Sequence, residues 1–439
     1  ALQTHPLLKK RSKAGWETSE LFNQYFDTEA RDLAGAKVAL RLRKDGEQII
    51  QTLKSRGQSV AGLSERNEWD WYLSKAKLDL KKLDDSCWPA ALAELDKKQL
   101  KPIFTTDFVR QRAEIAWGRG KARVVIEAAL DLGRVIAGKH QEEICELELE
   151  LRQGEPEALL ELAAELAADL PLMPCDISKA ERGYRLFDEA SYGLQLPTPQ
   201  LDAEQSLDDA VASIGWFLLG SSQRLAEQYR HNGHWRLLVD WLDALVELRA
   251  LFSSLGQAAP RASTSELRQV LDALLDEWRP RVQAGQQDEA ARQEAPARFA
   301  AELEQTRWGL FSLNTSRWLL ARTWTSARTK RGDRQGAAAL QSWLPTFFAE
   351  EGRDLQLKRY QQQPEDLAEQ LPRLERLLLW LHLARGTLEI AEADRLFGEL
   401  NKLAELAKRP LSPEELEARM TQAQIIMSLK PWKALLKNG

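Results

Sequence analysis

Cysteine is scarce in this 439-residue chain: there are three, Cys87, Cys145 and Cys175. They are far apart and odd in number, which excludes a disulfide framework or a CxxC metal knuckle and points to reduced thiols. Their expected place is the core, as small hydrophobic residues. No run of about 18 apolar residues occurs, so no membrane-spanning helix is expected. The opening segment ALQTHPLLKKRSKAGW lacks the apolar stretch and cleavage pattern of a secretory leader, making a cytoplasmic location the expectation. A basic excess is also missing. Lys plus Arg number 61 against 66 Asp plus Glu, for a net charge of −5, so nucleic acid is not an expected partner and any polyanion site must be local.

What is present suffices for folding throughout, with 44% hydrophobic and 29% charged residues. The length predicts two domains of roughly 200 residues each. Up to about residue 190 the segments VALRLR (38 to 43), IIQTLK (49 to 54), ERNEWDWYL (65 to 73), DFVRQR (107 to 112), ARVVIEAALDLG (122 to 133) and EICELELEL (143 to 151) read as strands of an antiparallel sheet. One helix interrupts them, from Pro156 through Leu159, Leu162, Leu166 and Leu170. Pro197 and Pro199 in LQLPTPQLDAEQ (194 to 205) mark a linker. Beyond it the period is helical. Ser263 and Glu266 resemble a capping box ahead of the stripe Leu267, Val270, Leu271, Leu274 and Trp278. Leu367, Leu371, Leu374, Leu378 and Leu381 read as a bundle seam. Many of the 15 tryptophans, including Trp235, Trp241, Trp308, Trp318 and Trp380, fall on or beside such stripes, which predicts core packing rather than a stacking platform for single strands.

The strand charges carry the functional signal. Arg41 and Arg43 share one face of their strand, Lys54 ends the next, Arg66 and Glu68 share a third, and Arg110 and Arg112 a fourth. EICELELEL puts Glu146, Glu148 and Glu150 together. A wet outer face is the ordinary origin of such alternation. Nearly pure sign within a strand is less ordinary, because three like charges on one face repel unless cations or basic strands neutralise them. An enclosed barrel would resolve this. Arginines and lysines would hold phosphate oxygens, and the carboxylates would hold Mg²⁺ or Mn²⁺, hard cations that bridge to phosphates.

The ordered set LRLR, TLK, ERNEW, TDFVRQR, IEAALDLG, EICELELEL and SKAERGY (178 to 184) resembles a CYTH domain, or triphosphate tunnel metalloenzyme. With a helical half following, the arrangement is similar to bacterial CYTH plus CHAD inorganic triphosphatases. The resemblance implies an α+β protein: an eight-stranded antiparallel β tunnel over 1–195, a linker over 196–205, and an all-α CHAD-like bundle over 206–439. It implies metal-dependent hydrolysis of inorganic triphosphate to pyrophosphate and phosphate. Arg41, Arg43, Lys54, Arg66, Arg110, Arg112 and Lys179 would line the phosphate walls, with Glu68 supporting. Glu146 and Glu148 would hold metal beside Asp131 and Glu127, and Glu146, Glu148 and Lys54 would be the catalytic set. The family's ExExK strand has no match before residue 16. Either such a strand lies outside this chain or the tunnel lacks two carboxylates and a lysine. CYTH tunnels also host nucleotide or thiamine triphosphatases and class IV adenylate cyclases, and a silent tunnel would leave a polyphosphate-binding protein.

The CHAD resemblance is degenerate. His234 and Arg249 are retained, but Asp240, Asp243 and Glu247 stand where a basic helix is expected; Arg373, Arg376 and His382 form a second candidate. ARTWTSARTKRGDR (321 to 334), with Arg353, Lys358 and Arg359, reads as solvated charge or as a polyphosphate dock feeding the tunnel. His231, His234 and His382 lack a metal-binding spacing.

Overall fold

A computed structural model describes every residue except 13, 56, 119–122, 327, 388–391 and 438–439, so Ala122 of the fifth candidate strand and Ala327 of the basic cluster lie outside the described residues. The chain divides into two compact units. One comprises 1–195 with 308–313, the other 196–307 with 314–439.

In the N-terminal unit α1 (Pro6–Arg11) leads to β1 (Glu17–Asp27), α2 (Asp32–Gly35), β2 (Ala39–Asp45), β3 (Gln48–Lys54), β4 (Gln58–Val60), β5 (Leu63–Glu65), β6 (Glu68–Leu73), β7 (Lys101–Trp117), β8 (Val124–Ala137), β9 (His140–Gln153), α3 (Glu157–Ala167) and α4 (Lys179–Phe187). Seven strands form one antiparallel sheet in the order β6-β3-β2-β1-β7-β8-β9, and β4 and β5 form a separate ribbon. The expected eight-stranded tunnel is therefore corrected to a seven-stranded sheet whose edges, β6 and β9, do not pair with each other. Turn geometry explains part of the difference. Ala61 and Gly62, both at positive φ, join Val60 to its partner Leu63, the two-residue hairpin that folds β4 onto β5. The single candidate strand over 65–73 accordingly breaks at Arg66 and Asn67. Gly46 and Gly138 take positive φ in the two-residue loops of the β2–β3 and β8–β9 hairpins.

The two faces of the sheet are treated differently. Ala113, Ile115, Val124, Ile126 and Ala128 pack against Leu8, Ala158, Leu162 and Leu166 of α1 and α3. The opposite face carries Leu21, Tyr25, Phe104, Phe108, Val135 and Ile144, with Ala180 and Tyr184 of α4 against them. The α3 helix is shorter than expected: Pro156 caps it and Leu170 lies beyond its end. Of the cysteines only Cys87 is buried; Cys145 and Cys175 are exposed, against the core expectation. Cys145 alternates with Ile144 and Glu146 along β9 and so points to the far face.

The second unit is helical: α5 (Leu207–Asn232), α6 (Trp235–Ser254), α7 (Ser265–Gln287), α8 (Glu289–Leu303), α9 (Thr306–Leu320, of which 308–313 fall in the first unit), α10 (Lys330–Gly336), α11 (Leu340–Asp354), α12 (Leu371–Ala384), α13 (Ala393–Lys408), α14 (Pro413–Ser428) and α15 (Lys430–Lys437). The capping box is not formed. A short 3₁₀ turn occupies Arg261–Thr264, the Ser263 hydroxyl donates to the Pro260 carbonyl at 2.7 Å, and α7 starts at Ser265. On α12 the buried stripe is Leu374, Leu377 and Leu381; Leu378 is half-buried. Trp241, Trp308, Trp318 and Trp380 are buried and Trp235 half-buried. No helix among the described residues is long and apolar enough to cross a membrane.

Candidate active site

Register brings the charged residues onto one face. Cross-strand partners run Glu68–Lys54 and Asp70–Thr52–Arg41–Tyr25 on the β6 side. Arg43–Asn23–Thr106 follows in the middle, and Arg110–Asp131–Glu146 and Arg112–Ala129–Glu148 on the β9 side. Because side chains alternate strictly along a strand, these rows share a single surface. The result is two walls of different character.

On the first wall Lys54 Nζ lies 2.8 Å and Arg41 3.4 Å from Glu68, so two cations share one carboxylate. Among the described residues Arg43 has no carboxylate partner: its Nε donates to Asn23 Oδ1 at 2.8 Å, and the Asn23 amide donates to Thr106 at 2.9 Å. Burial, with repulsion from Arg41 and Arg110, lowers the Arg43 pKa to about 10. Burial and Arg41 likewise lower Lys54. The Tyr25 hydroxyl responds to the same field: burial alone would raise it, yet Arg41, Lys54 and Arg43 bring it below its usual value. This wall is cation-rich and underpaired.

The second wall is built from β7, β8, β9 and α4. Arg110 donates bidentately to Asp131, at 2.7 Å from Nε and 2.7 Å from one terminal nitrogen, and reaches Glu148 at 2.5 Å. Ser178 caps α4 by accepting from the Glu181 amide. Spacing of three places Lys179, Arg182 and Arg185 along its inner side. Lys179 Nζ lies 2.7 Å from Asp131 and 2.8 Å from Glu148 and also contacts Glu146. Arg182 contacts Glu146 and donates to the Glu143 carbonyl at 3.3 Å, while Arg185 donates to Glu142 at 2.9 Å. Burial alone would raise Glu148, but Lys179 and Arg110 hold its carboxyl well below the usual range. Conversely, Glu148, Glu146 and Asp131 push Lys179 above its usual range despite burial.

Oxygens of Asp131, Glu146 and Glu148 lie within 4.8 Å of one another. A set of hard anionic oxygens at that spacing fits a divalent cation such as Mg²⁺ or Mn²⁺. The structure thus gathers these three with Arg110 and Lys179, and Arg41, Arg43, Lys54 and Glu68 on the facing wall. Three expected residues stand apart. Glu127 is two rungs from Asp131 along β8 and pairs with Arg152 at 2.9 Å. Arg112 is exposed and binds Glu17 at 3.1 Å. Arg66 is exposed in the segment between β5 and β6. Residues that sequence reasoning did not assign also belong here: Asn23, Tyr25 and Thr106 from β1 and β7, and Arg182 and Tyr184 from the SKAERGY segment. Tyr184 donates to Asp27 at 2.8 Å, and Asp27 also accepts from the amides of Thr28, Leu33 and Ala34. That carboxylate ties α4 to the end of β1.

In the helical unit some of the candidate cations are paired, among them Arg322, Arg328 and Arg359 of the candidate dock. Arg249 pairs with Asp272, Arg373 and Arg376 with Glu351, Arg328 with Asp208 and Asp333, Arg322 with Asp209, and Arg359 with Asp366. His382 contacts Glu247 at 3.2 Å.

Residues 1–184 match the CYTH domain family model. A curated inorganic triphosphatase of Haemophilus influenzae is 32% identical over 166 residues, covering 38% of this chain and 46% of the relative; the chain thus spans about half the length of that protein. A solved Hippeastrum protein, described as an adenylyl cyclase with a dominant triphosphatase activity, is 20% identical over 38% of this chain and 80% of its own, with a TM-score of 0.26. The PH1819 protein of Pyrococcus horikoshii is 16% identical over 38% of this chain and 82% of its own, with a TM-score of 0.22.

Proposed function

We propose that the N-terminal unit hydrolyses inorganic triphosphate to pyrophosphate and phosphate with the help of Mg²⁺ or Mn²⁺. The observation that carries this reading is the segregation of charge on one sheet face: underpaired Arg41, Arg43 and Lys54 on one wall, and the Asp131, Glu146 and Glu148 cluster on the other. The CYTH match and the triphosphatase relative support the same chemistry.

In this reading Arg41, Arg43 and Lys54 bind non-bridging phosphate oxygens, and phosphate offsets the burial and the repulsion that lower Arg43 and Lys54. Glu68 keeps Arg41 and Lys54 in place. Arg110, fixed by Asp131, contacts the chain from the opposite side. A divalent ion held by Glu146 and Glu148, with Asp131 behind them, would supply further neutralisation of the phosphate charge. Positioning and electrostatics supply the rate; no protein nucleophile is required. The helical unit, which resembles a CHAD domain by sequence, is assigned no catalytic part; polyphosphate docking on its basic segment 321–334 is a separate reading.

The test is phosphate release from triphosphate, ATP, thiamine triphosphate and long-chain polyphosphate, with Mg²⁺ or Mn²⁺ and with a chelator. Selective, metal-dependent turnover of triphosphate is expected. Preference for ATP or thiamine triphosphate would replace the substrate, cyclic AMP formation would indicate a cyclase, and binding without turnover would leave a phosphate-chain receptor.

A further inference from the structure

The ammonium of Lys179 sits inside the carboxylate cluster, not on the cationic wall. It contacts all three acids, at 2.7 Å from Asp131 Oδ2 and 2.8 Å from Glu148 Oε1 with Glu146 also in contact, and its side chain is only 8% exposed. Those same three carboxylates are the ones whose oxygens lie within 4.8 Å of one another, close enough to hold a divalent ion. We propose that Lys179 is an internal competitor for the metal: a divalent ion gains the carboxylates only by displacing this ammonium, so Lys179 sets the metal affinity of the site. The inference rests on the proposed metal-dependent reading and deepens it.

The physical argument is one of space and charge. A hard ion takes oxygen ligands at about 2.0–2.1 Å. An ion drawing on two or more of these oxygens would overlap or adjoin Nζ, and a doubly charged ion repels an adjacent ammonium strongly in a partly buried site. The two cations therefore exchange and do not coexist. Exchange is feasible because only the side chain has to move. The α4 backbone is held independently by Tyr184 on Asp27 at 2.8 Å, Arg185 on Glu142 at 2.9 Å and Arg182 on the Glu143 carbonyl at 3.3 Å. Gly183 seats the helix against the Phe104 ring, where a Cβ would come within 2.1 Å of the ring. Lys179 is the first residue of α4, and its four-carbon stem can swing without unwinding a turn. Arg110 does not share this freedom, because its Nε and one terminal nitrogen both donate to Asp131.

The test is Mn²⁺ titration of the full chain, without phosphate ligand, followed by electron paramagnetic resonance of the free ion. Lys179→Met is expected to bind Mn²⁺ at least about tenfold more tightly than the parent, equivalent to about 1.4 kcal/mol. Adding Glu148→Gln in the Lys179→Met background should abolish the gain. If Lys179→Met does not fold, Lys179→Gln, which keeps a neutral hydrogen-bonding head, carries the same expectation. Equal or weaker Mn²⁺ binding in the lysine variant would overturn the competition while leaving the metal reading intact. Absence of Mn²⁺ binding by parent and variant alike would overturn both.

Discussion

Replacing Arg43 with methionine should make the N-terminal unit more stable and less able to bind a phosphate chain. The folded chain holds this guanidinium against burial and against Arg41 and Arg110, lowering its pKa from the ordinary guanidinium value to about 10, a penalty of about 3 kcal/mol. The sign follows from linkage: a base with a depressed folded pKa destabilises the fold at every pH below that value, and the penalty fades as pH rises above about 10. Methionine removes the charge and keeps much of the stem volume. Against this, the bond to Asn23 is lost, leaving a fully buried amide oxygen short of a donor at a cost of about 1–2 kcal/mol. The net is a gain of about 1–2 kcal/mol, or a melting temperature raised by about 4 °C for a unit of this size. Binding moves the other way, since charge-assisted contacts to phosphate contribute about 1.5–3 kcal/mol, about a tenfold to hundredfold loss of affinity. Differential scanning calorimetry and titration with tripolyphosphate in a chelator measure the two effects on the same preparation. Arg110→Met is the contrast, because it removes the bidentate partner of fully buried Asp131 and leaves that carboxylate to Lys179 alone, and should cost about 2–3 kcal/mol. If Arg43→Met melts earlier than the parent, or binds tripolyphosphate equally well, the division into an underpaired and a paired wall is refuted.

Glu148→Gln removes a cluster oxygen that faces Lys179 and Arg110 and should lower metal-dependent triphosphate turnover by at least about a hundredfold, with circular dichroism unchanged; full activity would exclude Glu148 from the site. Asp27→Asn converts an acceptor of four hydrogen bonds into a group with donors facing donors, and should destabilise the unit by about 3–4 kcal/mol, read from urea unfolding. In the helical unit, partial desolvation by the surrounding protein, with the negative charges of Glu247, Asp240 and Glu405 nearby, raises the Asp243 carboxyl from 3.8 to about 6 although the side chain keeps contact with solvent. An acid with a raised folded pKa destabilises above that pKa and is relieved below it. The full effect corresponds to about 3 kcal/mol, and solvent screening of this exposed side chain reduces it to about 1. Asp243→Asn should therefore melt a few degrees higher at pH 8 and level with the parent near pH 4; a pH-independent difference would contradict the assignment.

The strands with pure alternation were legible from sequence. ELELEL (146 to 151) and VALRLR have period two over their full length, so alternation alone predicts that Glu146 and Glu148, and Arg41 and Arg43, share faces, as they do. β1 was not legible, for a physical reason. ETSELFNQYFD inverts the usual rule, with Asn23 fully buried and Phe22 43% exposed, because its buried polar atoms are satisfied by Arg43 and Thr106 from other strands. The pairing of Lys179 and Arg182 with β9 was equally hidden. It joins residues more than thirty positions apart, and the sequence shows a basic helix and an acidic strand without showing that one covers the other. Strand count failed at Arg66 and Asn67, where a tight turn one strand earlier, at Ala61 and Gly62, diverts the chain into its own ribbon.

The two walls differ in what ligand binding must change. On β2 and β3, three cations face one shared carboxylate and a neutral amide. Arg43, Lys54 and Tyr25, on three different strands, all shift in the direction an electropositive field requires. A phosphate chain there fills unmet demand and needs no prior rupture of an ion pair. On β8 and β9 the carboxylates are already satisfied by Arg110, Lys179 and Arg182, so a metal ion must replace a partner rather than meet a bare charge. Phosphate should therefore bind the first wall without metal, whereas metal alone should bind the second weakly. A phosphate chain spanning both walls would tip that exchange, because it brings anionic oxygens to the displaced ammonium as well as to the ion.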